Sequence, residues 1–304
     1  MNKNKTKLAS IVIAFAIAFI GVSCVNEKHD DQAKDKSKAN TENTAASAKK
    51  TDFSYDLTNP VKYNMPQNLF EISGITFHNG DPKQVFAIQD EDGDLFHLGL
   101  EDKQAKYTKF GGKGDYEDLA ILKDQVIILK SNGELHTFPL SKINAPEVTD
   151  VIKTKDLVPK AEYEGLAADE KAATVYVLTK EVKKGKKGET EIFAFKFDQG
   201  SYTPAGNFSL AHDKIAEVAG ASKMNFRPSA LAKNPKTGEW YVLSSMNKLL
   251  VITDENFKIK STQALKGNAF NQPEGIAFDK DNNLYISNEG GTLSAGNILM
   301  FKSK

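Results

Sequence analysis

The chain has 304 residues, and its 40 lysine and arginine residues balance 40 aspartate and glutamate residues. This balance gives no support to nucleic-acid binding, which depends on a basic face. The sequence has one cysteine, Cys24, which excludes an intramolecular disulfide framework.

The first 23 residues have the pattern of a secretory signal peptide. Three lysines at positions 3, 5 and 7 precede an uncharged run from Leu8 to Val22, which is too short and wrongly flanked for a stable membrane span. Small residues before Cys24 make the cleavage site similar to that of bacterial lipoproteins, although Gly21 stands where leucine is usual. We expect Cys24 to carry the lipid and the protein to be exported and anchored in the bacterial cell envelope, on its periplasmic or cell-surface side. An ordinary signal peptide that contains a cysteine is the alternative.

Residues 24–51 have the composition of a flexible tether. They are rich in Lys, Asp, Asn, Ala and Ser and have almost no large apolar side chains, so they cannot offset the entropy of folding by burial. Their charges nearly cancel, so we expect contact with the membrane through the lipid anchor only. Residues 52–304 remain as one domain, of a size that is normal for a closed all-β fold, and we expect a monomer.

One phrase recurs five times in this domain. Its copies are EISGI from Glu71, DYEDLA from Asp115, EYEGLA from Glu162, RPSALA from Arg227 and QPEGIA from Gln272. The copies are 44, 47, 65 and 45 residues apart, and a period of about 40–45 residues is typical of β-propeller blades. After each of the first four copies come three β-branched and aromatic runs separated by turn residues, which predicts four strands per repeat.

The fifth repeat lacks a fourth strand, since only two runs follow its phrase. We expect the segment from Phe53 to Tyr63 to supply that outer strand and to close the ring, which leaves no long exposed sheet edge. The predicted fold is therefore an all-β propeller of five four-stranded blades, closed by an N-terminal strand. A six-bladed ring is the alternative, but the 65-residue step contains a lysine-rich hairpin and the helix-like segment HDKIAEVAGA instead of a further blade.

The succession of motifs from EISGI through GDYEDLA, EYEGLA and RPSALAKNP to QPEGIAFD and LYISNE resembles the SdiA-regulated family of bacterial β-propeller proteins. The resemblance covers nearly all of residues 60–304. It implies a propeller domain in an exported or membrane-tethered protein, and it implies little about activity.

Two columns of polar residues are expected to meet at one mouth of the propeller channel. The first column stands where the chain enters each inner strand and contains Ser73, Glu117, Glu164, Ser229 and Glu274. The second column is formed by the last residues of the second strands, which are Gln89-Asp90, Lys130-Ser131, Thr179-Lys180, Ser244-Ser245 and Asn288-Glu289. Arg227, the one arginine of the chain, lies near the same end.

Carboxylates that converge on an axis must have their repulsion offset, and neighbouring lysines, water, shared protons or a hard cation can do this. We expect Glu117, Glu164 and Glu274 to be ligands of a metal ion, with calcium as the candidate. The ligand-binding residues are expected to be Ser73, Asp90, Lys130, Lys180, Arg227, Ser229 and Glu289. The structural alternative is that each glutamate accepts hydrogen bonds from the backbone of the next blade and that the channel holds water.

The sequence favours a membrane-tethered module that binds an unknown small molecule or protein without turnover. The four histidines of the domain have no zinc-binding spacing, and no G-x-S-x-G elbow is present, so no catalytic residue is assigned. The alternatives are a metal-dependent hydrolase of the gluconolactonase-like propeller type, and a purely structural envelope protein.

Overall fold

The computed structural model describes residues 53–181, 188–292 and 294–304. The predicted signal peptide, Cys24, the tether and most of the lysine-rich hairpin lie outside these ranges. Within them, the strands form five antiparallel sheets of four strands each. The prediction of an all-β propeller with five blades is therefore confirmed, and the six-bladed alternative is not.

The strands follow one another as the repeats predict. The first strand, β1 (Val61–Asn64), precedes blade 1, which contains β2 (Ile72–Phe77), β3 (Val85–Gln89), β4 (Asp94–Leu98) and β5 (Lys106–Lys109). Blade 2 contains β6 (Tyr116–Leu122), β7 (Gln125–Lys130), β8 (Leu135–Pro139) and β9 (Ile152–Thr154). Blade 3 contains β10 (Glu162–Asp169), β11 (Thr174–Glu181), β12 (Glu189–Asp198) and β13 (Ser201–Ala211). Blade 4 contains β14 (Ala230–Lys233), β15 (Trp240–Ser244), β16 (Leu249–Thr253) and β17 (Ile259–Ala264). Blade 5 contains β18 (Pro273–Phe278), β19 (Leu284–Asn288), β20 (Asn297–Phe301) and β1.

Short helical segments connect some of these strands. Three 3₁₀ turns span Gln67–Leu69, His78–Gly80 and Leu140–Lys142. One α-helix, α1 (His212–Ala219), lies between blades 3 and 4, at the position of the predicted helix-like segment. None of the helices in the described ranges is long and apolar enough to cross a membrane.

The ring is closed by the N-terminal segment, as the sequence predicts. β1 pairs with β20 in an antiparallel register that sets Val61 opposite Met300 and Asn64 opposite Asn297. Upstream of β1, Tyr55 forms a bridge with Ser303. Blade 5 is thus built from both ends of the domain.

Apolar packing is continuous around the ring. Alternate residues of a strand point to opposite faces of its sheet, and five apolar clusters each join two consecutive blades. The cluster that contains Ile75 of blade 1 and Tyr285 of blade 5 completes the circle. The inner strands β2, β6, β10, β14 and β18 each contact the next one around the axis, so the polar residues at their entrances are brought close together.

Candidate functional site

A β-bulge aims the repeated polar residue out of the sheet. In β10, Tyr163 pairs with Thr179 and Gly165 pairs with Leu178, so Glu164 has no partner of its own. Glu117 in β6 and Glu274 in β18 occupy the same bulged position, and β2 has an irregularity at Ser73 and Gly74. A bulge turns the side chain of its extra residue away from the sheet face. In four of its five copies, the recurring phrase is therefore the signature of a bulge that directs a polar side chain to the channel mouth, whereas β14 pairs without a bulge.

The residue after the bulge is small because neighbouring inner strands approach each other closely there. A Cβ atom on Gly275 would lie 2.5 Å from the carbonyl oxygen of Ser73 in the next blade. Asp118 is the exception, and its side chain bonds to the adjacent strand. Its Oδ1 accepts the N–H of Leu119 and its Oδ2 accepts the N–H of Leu166, each at 2.8 Å. This carboxyl group, 3% exposed, joins blade 2 to blade 3.

Three glutamates converge on Lys180, which lies one residue before the end of β11, the second strand of blade 3. The Nζ of Lys180 donates a hydrogen bond to Oε1 of Glu164. Burial lowers the pKa of Lys180, but this bond and the charges of Glu164, Glu117 and Glu274 outweigh burial and raise it. The structure therefore brings the three glutamates that the sequence assigned to a metal site together with Lys180, which the sequence assigned to ligand binding.

The glutamates also retain protons more readily than exposed carboxyl groups do. Burial, together with the charges of Glu164 and Asp115, raises the pKa of Glu117. Burial raises the pKa of Glu164 despite its bond with Lys180. Burial raises the pKa of Glu274 as well, although hydrogen bonds from Ser229 and Ser245 and the charges of Lys180 and Lys248 act against the rise. A lysine, hydroxyl groups and bound protons thus relieve the repulsion between these carboxylates.

Asp90 and Glu289 extend the carboxylate cluster toward blades 1 and 5. Burial and the charges of Glu274, Asp90 and Glu71 raise the pKa of Glu289 to about 7, against a hydrogen bond from Gln272. Burial also raises the pKa of Asp90, whose Oδ1 is buried without a hydrogen-bond partner among the described residues. We call the group formed by Asp90, Asp115, Glu117, Glu164, Lys180, Glu274 and Glu289 the acidic mouth.

The remaining predicted ligand-binding residues are Ser73, Lys130 and Arg227, and each forms contacts of another kind. The hydroxyl of Ser73 donates to the carbonyl oxygen of Glu117 at 2.7 Å, which ties blade 1 to blade 2. The Nζ of Lys130 lies 5.3 Å from the ring centroid of Tyr116 and acts electrostatically on Glu134 and His136. The backbone of Arg227 holds a turn of blade 4, since its N–H donates to Asn247 and its carbonyl oxygen accepts from Ser244.

A cavity of about 400 Å³ opens within the acidic mouth between blades 2 and 3. Its walls are formed by Asp115, Glu117, Ser131, Asn132, Ala161, Glu162, Glu164 and Lys180. The sequence analysis did not assign Asp115, Ser131, Ser245 or Lys248 to the site. Asp115 begins the DYEDLA phrase. Ser131 and Ser245 are the last polar residues of their blades in the second column. The same repeat could therefore have identified all three residues. Lys248 lies in a turn outside both columns, and no pattern marks it.

The acidic mouth does not have the arrangement of a metal site. Among the residues that the structure describes, no three His, Cys, Asp or Glu side chains are placed to hold a metal ion together. The ammonium of Lys180 contacts Glu164 where a cation would be expected. Carboxylate oxygens are ligands that calcium prefers, but these side chains are not gathered around one cation position, so the metal-ligand role of Glu117, Glu164 and Glu274 stays a prediction.

Comparison with known proteins supports the fold. Residues 45–292 match the family model described as SdiA-regulated. No curated protein is similar enough in sequence to match the chain. Among solved structures, the glutaminyl cyclase of Myxococcus xanthus is 15% identical, with 80% of this chain and 95% of that chain covered and a TM-score of 0.53.

Two further solved structures also cover most of this chain at low sequence identity. The aldose sugar dehydrogenase of Streptomyces coelicolor, solved with bound PQQ, is 10% identical over 81% of this chain and 99% of that chain, with a TM-score of 0.53. The calcium-binding protein regucalcin of Agrobacterium tumefaciens is 9% identical over 79% of this chain and 92% of that chain, with a TM-score of 0.47. At such low identities, these likenesses concern the fold alone.

Proposed function

The chain belongs to the SdiA-regulated family, and on that premise we propose that it is an exported, lipid-anchored propeller that binds a small cationic ligand at the acidic mouth. The observation that carries this proposal is the cavity of about 400 Å³ whose walls contain four carboxyl groups and one ammonium group. Small-molecule pockets have volumes of about 300–1,000 Å³, so the cavity is large enough for an organic ligand.

The charge of the cavity favours an amine or a guanidinium group over an anion. The one lysine in its wall is already bonded to Glu164, so the wall has no second lysine for Asp115 and Glu117. Burial and like charges hold a proton on Glu117, and a bound cation would favour the ionised carboxylate in its place. Binding should therefore release a proton, and the affinity should rise with pH until Glu117 is ionised in the free protein.

Calorimetric titration of the full chain with agmatine, which carries both an amine and a guanidinium group, tests the proposal. We expect saturable binding that weakens about tenfold in Glu117→Gln, because one charge-assisted hydrogen bond is lost. The matched control is Glu255→Gln, an exposed turn residue of blade 4, which should bind agmatine as the wild type does. Absence of binding, or equal affinities in wild type and Glu117→Gln, would contradict the proposal.

Parallel experiments test two other functions, calcium binding and metal-dependent hydrolysis. If calcium binds and agmatine does not, the metal interpretation replaces ours. Turnover of a lactone that a chelator abolishes would favour the hydrolase. The proposal of a binding module needs neither a metal ion nor a catalytic base.

A further inference from the structure

The channel has a second and larger cavity at the end where the inner strands finish. Its volume is about 650 Å³. It lies beyond the bulges, on the side of the channel away from the acidic mouth, and the proposed function does not use it. We call it the far cavity.

Apolar and small side chains form the wall of the far cavity. At one level of the five inner strands it is lined by Ile75, Leu119, Leu166, Leu231 and Ile276. At the next level it is lined by Thr76, Ala120, Ala167, Ala232 and Ala277. The small residues leave the channel open at this level. The larger apolar ones pack between the blades and are at most 4% exposed, so the apolar surface that a ligand can contact is narrow.

The rim of the far cavity has four lysines and three carboxylates, but two of the carboxylates are engaged in structural bonds. Asp279, 1% exposed, accepts the backbone N–H and side-chain amide of Asn283, each at 2.8 Å, and the hydroxyl of Tyr285 at 2.9 Å. Asp169 accepts from Lys233 and from the N–H of Ala172. Neither carboxylate forms an ion pair with the other three lysines, although Asp279, whose donors are all neutral, keeps its negative charge.

Three of the four rim lysines are not held in an ion pair within the described ranges. Within the described ranges, Lys171, Lys236 and Lys280 form no ion pair. The third rim carboxylate, Glu170, is exposed and accepts the backbone N–H of Lys123. With four lysines against three carboxylates, the rim has a small net positive charge, whereas carboxyl groups predominate in the mouth at the other end of the channel.

We propose that the far cavity binds an amphipathic organic carboxylate. Its carboxylate would be held among Lys171, Lys236 and Lys280, and its hydrocarbon part would lie against the apolar wall of the channel. An inorganic anion would leave that wall uncovered, and an uncharged hydrocarbon would leave the lysines without a counter-charge. Both parts of the ligand are needed to match both parts of the cavity.

The chain contains a spectroscopic reporter beside this site. Trp240 is its one tryptophan, and the Nζ of Lys233, a residue of the cavity wall, lies 5.4 Å from the centroid of its ring. A carboxylate that enters the rim will change the electric field at this ring. Tryptophan fluorescence therefore reports on the far cavity and not on the acidic mouth.

The test is a fluorescence titration of the full chain with hexanoate, repeated by calorimetry in case the ring does not respond. Hexanamide supplies the same hydrocarbon without charge, and inorganic phosphate supplies charge without hydrocarbon. We expect saturable binding of hexanoate, at least about tenfold weaker binding of the other two probes, and weaker hexanoate binding as salt rises from about 20 mM to about 300 mM.

The double variant Lys236→Gln/Lys280→Gln should weaken hexanoate binding about tenfold and leave hexanamide unaffected. Both lysines are exposed and use only their backbone atoms in the hydrogen bonds of their turns, so the fold should tolerate the change. The matched control, Lys142→Gln/Lys214→Gln, removes the same charge from exposed positions elsewhere. The proposal is wrong if neither method detects hexanoate binding, if the two double variants bind hexanoate equally, or if phosphate binds as tightly as hexanoate.

Discussion

Lys180 determines which charges the acidic mouth can hold. Its side chain is 35% exposed, whereas that of Glu164 is 10% exposed, so the lysine brings a solvated charge to a buried carboxylate. Breaking a buried ion pair by removing one partner leaves the other charge without compensation, and this costs more than the pair contributes.

We expect Lys180→Met to destabilise the fold by about 1–3 kcal/mol, less than for a fully buried pair because Lys180 is partly solvated. Burial already raises the pKa of Glu164, and loss of the lysine will raise it further. The variant should therefore lose more stability at pH 8 than at pH 5, as measured by urea unfolding.

The control for this change is Lys260→Met. Lys260 is paired with Glu239 and is 52% exposed, and exposed pairs contribute at most about 1 kcal/mol. Equal losses in the two variants would show that Lys180 does not compensate a buried charge.

Glu289 should make the stability of the protein depend on pH. Its pKa is raised to about 7 by burial and neighbouring carboxylates, whereas that of a glutamate in an unfolded chain is about 4.3. The folded protein then binds this proton more tightly, so its stability falls as the pH rises from about 4.3 to about 7, and stays reduced above that range.

Replacement of Glu289 by glutamine removes this penalty. We expect Glu289→Gln to be more stable than the wild type at pH 8 by about 1 kcal/mol, with solvent screening allowed for, and to lose that advantage at pH 5. Denaturant unfolding at the two pH values measures the difference. A constant difference between variant and wild type across this range would contradict the assignment.

Sequence alone could place the residues of the acidic mouth but not their partners. The repeat fixes which positions face the mouth, because pseudo-symmetric strands enter the channel at the same end. It does not show that Lys180 bonds to Glu164 while Lys130 lies over Tyr116, since both lysines stand at the end of a second strand. That difference depends on side-chain packing in each blade, and the repeat carries no information about it.

At the scale of single elements, the bulges direct the polar side chains to the channel mouth and the closing strand completes the ring. The repeat predicted four strands in each blade because hydrophobic runs and turn residues alternate clearly. The bulges could not be predicted, since a bulge is one unpaired residue within a continuous strand pattern. Closure by the N-terminal segment could be predicted, because only that segment could supply the missing strand.

Tyr55 fastens this segment to two blades. Its hydroxyl donates to the carbonyl oxygen of Asn282 at 2.9 Å and accepts from the side-chain amide of Asn234 at 3.1 Å. The side chain is 3% exposed, so Tyr55→Phe would leave buried polar groups without partners. We expect a loss of about 1–3 kcal/mol in the free energy of unfolding, measured in urea.

The matched control is Tyr107→Phe, whose side chain is 56% exposed on the outer strand of blade 1. It should change stability by at most about 0.5 kcal/mol. If Tyr55→Phe is equally mild, the segment is held by the pairing of β1 with β20 and not by this hydroxyl.

At the scale of the whole molecule, the proposed lipid anchor decides where the propeller acts. Metabolic labelling with a palmitate analogue should tag the wild-type protein, and Cys24→Ser should abolish the label, because Cys24 is the one cysteine of the chain. A label that persists in the variant would contradict lipidation at this residue. Stable anchoring takes more than one acyl chain, so wild-type protein should also remain with the membrane after a salt wash.

The pairing of β1 with β20 also sets the order of events while the chain is being made. Val61 and Met300 are about 240 residues apart in sequence, yet they face each other in blade 5. At about 5–20 residues per second, a ribosome needs tens of seconds to travel between them. Blades 1 to 4 can each form from contiguous sequence during that interval, but the circle cannot be completed until β20 has emerged. Such distant contacts also slow folding after synthesis. The ring therefore stays open until the last strand of the domain has been synthesised, and the chain has its paired ends free of each other during that whole interval.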